Sequence, residues 1–139
     1  MIAYLDSSVI LRVILREPGE LPEWDEVKVG ITSAITEVEC LRTLDRFRLR
    51  HAASFEEATR RRASLFELLE GIDVLEIERP ILSRASEPFP TPLGTLDALH
   101  LASALTWRDQ NRVQLTLATH DTALALAARA SGLKTIGSS

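Results

Sequence analysis

A single cysteine, Cys40, stands among 139 residues, so no internal disulfide can form and a stapled secreted framework is excluded. Its thiol reads as a small buried apolar residue on a helix rather than a nucleophile. Also missing is any run approaching the ~20 uninterrupted apolar residues of a membrane span. The opening stretch, MIAYLDSSVIL, has no basic region and no small-residue cleavage site, and Asp6 interrupts its apolar run. It does not read as a secretory leader, and the expectation is a cytoplasmic protein with no membrane role. Lysine is nearly absent, with only Lys28 and Lys134, and the formal net charge is −4. That balance excludes a protein that coats nucleic acid without regard to site, but leaves room for a local basic groove.

What is present is the composition of a globular chain, 45% hydrophobic and 26% charged, long enough to bury about two thirds of its unfolded surface. One domain over residues 1–139 is expected, with no internal repeat or linker. Residues 2–5 form a short apolar run followed at once by Asp6, Ser7 and Ser8 and then by the apolar stretch 9–15, which predicts strand, turn and capped helix. A short strand at 29–31 precedes a helix capped by Thr32 or Ser33 and running to about Arg50. Ser54 opens a capping box for a helix ending at Gly71. A strand over 72–77, a helix over 80–86, a proline-rich loop over 88–94 and a helix over 96–110 follow. A strand over 113–119, a helix over 121–131 and a strand over 133–136 complete the chain. Strands alternating with helices predict an α/β fold, a central parallel sheet of four to five strands covered by helices on both faces.

That arrangement decides where acids matter, because sites in parallel sheets form beyond the carboxyl ends of the strands. Asp6 ends the first strand and Asp121 follows the strand 113–119, so both fall at one sheet edge. Asp97 lies in the first turn of a helix whose faces are otherwise leucine, alanine and tryptophan, with little water to solvate a charge. Each of the three could also serve as an N-cap or as a first-turn acid complementing the helix dipole. On the helix 33–50, Glu39 shares a stripe with Arg42, Thr43, Arg46 and Arg50, whereas Glu37 sits about 160° away around the axis. Only one of the two glutamates can lean toward a shared site, and an ion pair of Glu39 with Arg42 is the competing use.

Four converging carboxylates would repel by about 3 kcal/mol per pair at ~5 Å and an effective dielectric of 20. A hard divalent cation, Mg²⁺ or Mn²⁺, takes oxygen ligands and would relieve that repulsion. Between residues 42 and 62 seven arginines face three acids, an excess of four positive charges that suits phosphate or simply forms two solvated helix faces. His100, one turn beyond Asp97, and His120, beside Asp121, read as polar residues at the edge of a cleft, with contact to substrate phosphate or to an acid as the functional alternative. Trp24 and Trp107 read as packing more readily than as base-stacking or partner-binding groups.

Four segments, 5-LDSSVIL-11, 33-SAITEVECLR-42, 96-LDALHLASAL-105 and 119-THD-121, resemble the motifs of the PIN-domain ribonucleases, and within them of the VapC toxins of prokaryotic toxin–antitoxin pairs. The resemblance spans nearly the whole chain. It implies a metal-dependent endoribonuclease in which Asp6, Glu39, Asp97 and Asp121 bind one or two Mg²⁺ or Mn²⁺ ions, with Ser7 or Ser8 and Thr119 steadying the first and last acid. It implies further a homodimer, a cognate VapB-like antitoxin covering the active site, and an RNA substrate (tRNA, rRNA or mRNA) whose backbone Arg42, Arg46 and Arg50 would steer. The last motif holds one acid only, and Glu37 is a competing acid in the second. Three rival readings stay open at this level: an Asp6-nucleophile phosphohydrolase, metal-free cleavage through the 2′-hydroxyl by histidines, and a silent module that binds RNA or protein without chemistry.

Overall fold

The computed structural model describes residues 1–138. Five strands, β1 (Ile2–Leu5), β2 (Val29–Ser33), β3 (Asp73–Leu75), β4 (Thr116–Ala118) and β5 (Lys134–Ile136), form one sheet in the order β3-β2-β1-β4-β5. All four strand pairings are parallel. The helices between them are α1 (Ser7–Leu15), α2 (Ala34–Arg50), α3 (Phe55–Glu70), α4 (Arg79–Ala85), α5 (Thr95–Asn111) and α6 (Thr122–Ala130). A 3₁₀ turn over Trp24–Glu26 interrupts the loop before β2. Among the described residues no helix is long and apolar enough to cross a membrane.

The period-two alternation of β1 sorts the molecule into two layers. Ala3 and Leu5 face one side with Ala118, where α1, α2 and α3 bring Val9, Ile10, Cys40, Leu44, Leu65 and Leu69. Tyr4 faces the other with Ile31 and Leu117, against Leu101, Leu105, Leu124 and Ala128 of α5 and α6. Helices therefore cover both faces, which is why the central strands are apolar along their length. The middle of α5 is buried nearly all round, from Ala98 through His100–Leu105, because β2, α4 and α6 pack about it. Trp24 and Trp107 pack partly buried against the two core layers, in keeping with the packing reading.

Several boundaries differ from the sequence reading. The expected strand 113–119 shrinks to Thr116–Ala118, because its neighbour β1 offers ladder partners only over Ala3–Leu5 in this pairing. Leu115 is apolar because it is buried at 2% exposure, not because it joins the ladder. The expected strand 72–77 contracts to Asp73–Leu75, an edge strand paired on one side only. The strand expected at 29–31 extends to Ser33, and Ser33 rather than Thr32 caps α2, accepting from the Ile35 N–H at 3.1 Å.

Candidate active site

The order of strands reverses at β1: the chain runs outward through β2 and β3, then returns to add β4 and β5 on the other side. The crevice beyond the carboxyl ends of the strands at such a reversal is the usual ligand site of open parallel sheets. Asp6 directly follows β1, and Asp121 follows the adjacent β4 after Thr119 and His120.

Asp6 is buried, at 3% exposure, and caps α1. Its Oδ1 accepts from the backbone N–H groups of Ser8 at 3.0 Å and Val9 at 3.3 Å and from the Ser8 hydroxyl at 2.5 Å. Its Oδ2 accepts from the Thr119 hydroxyl at 2.6 Å. Thr119 Oγ1 in turn accepts from the Asp121 backbone N–H at 2.9 Å, so one buried hydroxyl links the first acid to the last. Ser8, rather than Ser7, is the serine on Asp6, and it also accepts from the His120 backbone N–H at 2.9 Å. Asp121 caps α6 through Oδ1 and the Leu124 N–H at 2.9 Å. Both caps therefore exist, and the capping use of these acids and their placement at the sheet edge coincide.

Glu39 reaches the site from α2. Its partner is not Arg42 but the imidazole of His100, Nε2 to Oε1 at 2.5 Å. Arg42 pairs with Asp45 at 3.4 Å, Arg46 donates to Thr43 at 3.1 Å, and Arg42, Arg46 and Arg50 all lie exposed along α2. The structure thus brings Glu39 in and leaves the arginines outside, on the flank. His100 overturns the cleft-edge reading and bears out the alternative of contact to an acid: it is 1% exposed in the core, where its Nδ1 meets the Tyr4 hydroxyl at 2.8 Å while its Nε2 meets Glu39. His120 is partly buried, its Nδ1 against the Gly137 carbonyl at 2.9 Å. Gly137 has φ +94, and a Cβ there would meet the Thr119 carbonyl oxygen at 2.5 Å, so only glycine lets this segment pass so close beneath the site.

Asp97, in the first turn of α5, is half-buried. Burial pushes its carboxyl up to about 6, with the charges of Asp121, Asp6 and Glu39 pushing the same way and His100 pulling it down. The four acids named from the sequence thus share one electrostatic environment. The neighbouring Cys40 thiol is pushed up to about 12 by burial and then by Glu39 and Asp6, which keeps it protonated and unsuited to attack.

The donor set fits a hard divalent cation. Oδ1 of Asp6 is saturated by three donors, whereas Oδ2 carries one and keeps a free lone pair. Glu39 and Asp121 each commit one oxygen, and the other has no partner among the described residues; Asp97 has none on either. Among the described residues no three histidine, cysteine or carboxylate side chains are already gathered as a ready metal cage. Sequence reasoning missed Tyr4 and Gly137; the one signal available was a lone tyrosine inside an otherwise apolar strand.

A parallel sheet reversing at its first strand, with carboxylates collected beyond that reversal, defines a class of α/β protein with an acidic cleft. The chain belongs to the PIN-domain family, whose model matches residues 3–134. It is 31% identical over 108 residues to Ribonuclease VapC47 of Mycobacterium tuberculosis (strain CDC 1551 / Oshkosh), an alignment covering 73% of each chain. Its fold is similar to that of VapBC2 from Rickettsia felis, solved bound to a DNA fragment from their promoter, with a TM-score of 0.67 and 15% identity over 97% of both chains. It is also similar to a toxin–antitoxin complex from Klebsiella pneumoniae, TM-score 0.64 and 14% identity over 92% of this chain and 93% of that one.

Proposed function

We propose that this protein is a Mg²⁺- or Mn²⁺-dependent endoribonuclease of the VapC type, the toxin of a type II toxin–antitoxin pair, hydrolysing RNA phosphodiester bonds. The observation that carries the reading is the gathering of Asp6, Glu39, Asp97 and Asp121 at the strand-order reversal, with Asp97 pushed up to about 6 by burial and by the charges of the other three acids. The relationship to a protein named as a ribonuclease supports the same reaction class. A VapB-like antitoxin, a homodimeric state and one or two metal ions belong to the same reading.

In that reading Asp6 Oδ2, Asp97 and the uncommitted oxygens of Glu39 and Asp121 hold the cation. When bound, Mg²⁺ or Mn²⁺ supplies charge to the phosphate and lowers the pKa of a water for in-line attack. Ser8 and Thr119 keep Asp6 from rotating, and Thr119 holds the start of the Asp121 turn against it. Arg42, Arg46 and Arg50 line the exposed flank of α2 and steer the RNA backbone toward the acids.

The rival chemistries fare worse. An Asp6 nucleophile would attack with a carboxylate whose two oxygens already take four hydrogen bonds, and the chain has only Lys28 and Lys134 to serve a phosphoaspartate. Histidine-driven cleavage would need exposed imidazoles, but His100 is enclosed and His120 is tied to Gly137.

The test is cleavage of total tRNA and ribosomal RNA by the purified, antitoxin-free protein in Mg²⁺ or Mn²⁺, against EDTA and against Asp97→Asn. Discrete cuts that need metal and vanish in the variant are expected. Cuts that persist in EDTA, or in a folded Asp97→Asn protein, would sink the site assignment; RNA binding without cleavage would favour the silent module.

A further inference from the structure

Beneath the acids lies a buried polar chain that the proposed reaction does not itself require. Tyr4, in β1, is fully buried, and its phenol O–H has His100 Nδ1 within hydrogen-bond reach. The hydroxyls of Thr36, Ser33 and Ser103 surround it. The Tyr4 and His100 rings meet edge to face, with centroids 5.9 Å apart and planes at 69°. With the phenol as donor, His100 Nδ1 accepts and its Nε2–H is left to donate to Glu39 Oε1.

The second ring nitrogen of His100 does not turn to the hydroxyls near the phenol, which are already committed: Thr36 accepts from Thr32, Ser33 accepts from the Ile35 N–H and Ser103 donates to the Leu99 carbonyl. Instead it reaches across 61 positions of sequence, from α5 to α2, to a carboxylate that is 22% exposed at the site. Asp97 lies one helical turn before His100 on the same helix, so this contact sets where the acid of α2 stands relative to the acid of α5.

We propose that His100 is a positioning residue for Glu39, with Tyr4 orienting the His100 ring, so that a Tyr4–His100–Glu39 chain sets the spacing of the acids. The metal-holding role of Glu39 rests on the reading above; the way Glu39 is held does not. Partners of this kind behind a metal ligand typically govern about 10–100-fold in metal affinity.

The experiment measures Mn²⁺ affinity by electron paramagnetic resonance, without RNA, for the wild type and for His100→Gln, His100→Asn, Tyr4→Phe and Glu39→Gln, with folding checked by circular dichroism. Gln and Asn carry the same carboxamide, but only Gln has the reach to donate to Glu39. His100→Gln is expected within a few-fold of wild type, His100→Asn about 10–100-fold weaker and Tyr4→Phe about three- to tenfold weaker. Equal affinities for the Gln and Asn variants would overturn the proposal. If Glu39→Gln binds Mn²⁺ as the wild type does, the metal reading of Glu39 has failed instead. Crystal structures then decide the positioning claim alone: Glu39 swung from its place in His100→Asn but not in His100→Gln supports it, and Glu39 unmoved in both overturns it. Should His100→Asn not fold, Tyr4→Phe decides, because loss of one hydroxyl with unchanged affinity and an unmoved Glu39 overturns the chain.

Discussion

The two halves of the acidic cleft are built on opposite principles. On the β1–β4 side, Asp6 and Asp121 are N-caps tied by Ser8 and Thr119 into a hydrogen-bonded knot, so the fold itself uses these carboxylates. On the α2–α5 side, Asp97 caps nothing, has no hydrogen-bond partner among the described residues and is held against its own ionisation, while Glu39 is anchored through a core histidine. Acids of the first kind stabilise the fold and would persist without chemistry. Asp97 costs stability, which is the mark of a residue kept for what it does.

The largest separation between the halves is expected in stability. Asp6→Ala removes a cap and leaves the buried Thr119 hydroxyl without its acceptor, an expected loss of about 1–3 kcal/mol in urea denaturation. Asp97→Asn is expected to leave stability unchanged or raise it, although both variants are expected to lose activity. An Asp97→Asn protein as weakened as Asp6→Ala would erase the contrast.

A pH series sharpens it. The Asp97 carboxyl moves from its ordinary value of 3.8 to about 6 in the fold. Between those values the folded protein keeps a proton that the unfolded chain has released, so metal-free stability falls as pH climbs from about 4 to about 6 and levels above that. Asp97→Asn is expected to lose that component of the slope; an identical slope in the variant would assign the pH dependence elsewhere. Because protons and cations compete for the same carboxylate, Mn²⁺ affinity is expected to weaken below about pH 6.

The smallest effect belongs to the flank. Replacing Arg42, Arg46 and Arg50 together by Ala is expected to change stability by under about 0.5 kcal/mol, since the one ion pair among them, to Asp45, is exposed. RNA binding should weaken evenly across sequences, with the salt slope falling by up to about 2. An unchanged slope would place the RNA path on another face.

Much of this was legible in the chain. The runs at 2–5 and 113–119, the first followed at once by Asp6 and the second by His120 and Asp121, announce strands and caps, and the order of strands and helices announces a two-sided parallel sheet. Strand lengths were less legible, because an apolar run such as 113–119 records burial whereas the ladder stops where its partner stops. The histidine was misplaced for a related reason: a polar letter in an apolar helix reads as an edge position until the core supplies both its partners.

The sequence alone therefore determined the fold class, the motif spacing and where helices start, since turns, helix starts and strand periods are local properties of a few consecutive residues. Only the tertiary structure decided that Glu39 meets His100 rather than Arg42, that Tyr4 stands behind it, and that Thr119 closes onto Asp6 across 113 positions. Helical period tells which residues share a stripe, but the rotation of a helix about its axis, and the neighbour that its stripe meets, are set by how both faces of the sheet pack.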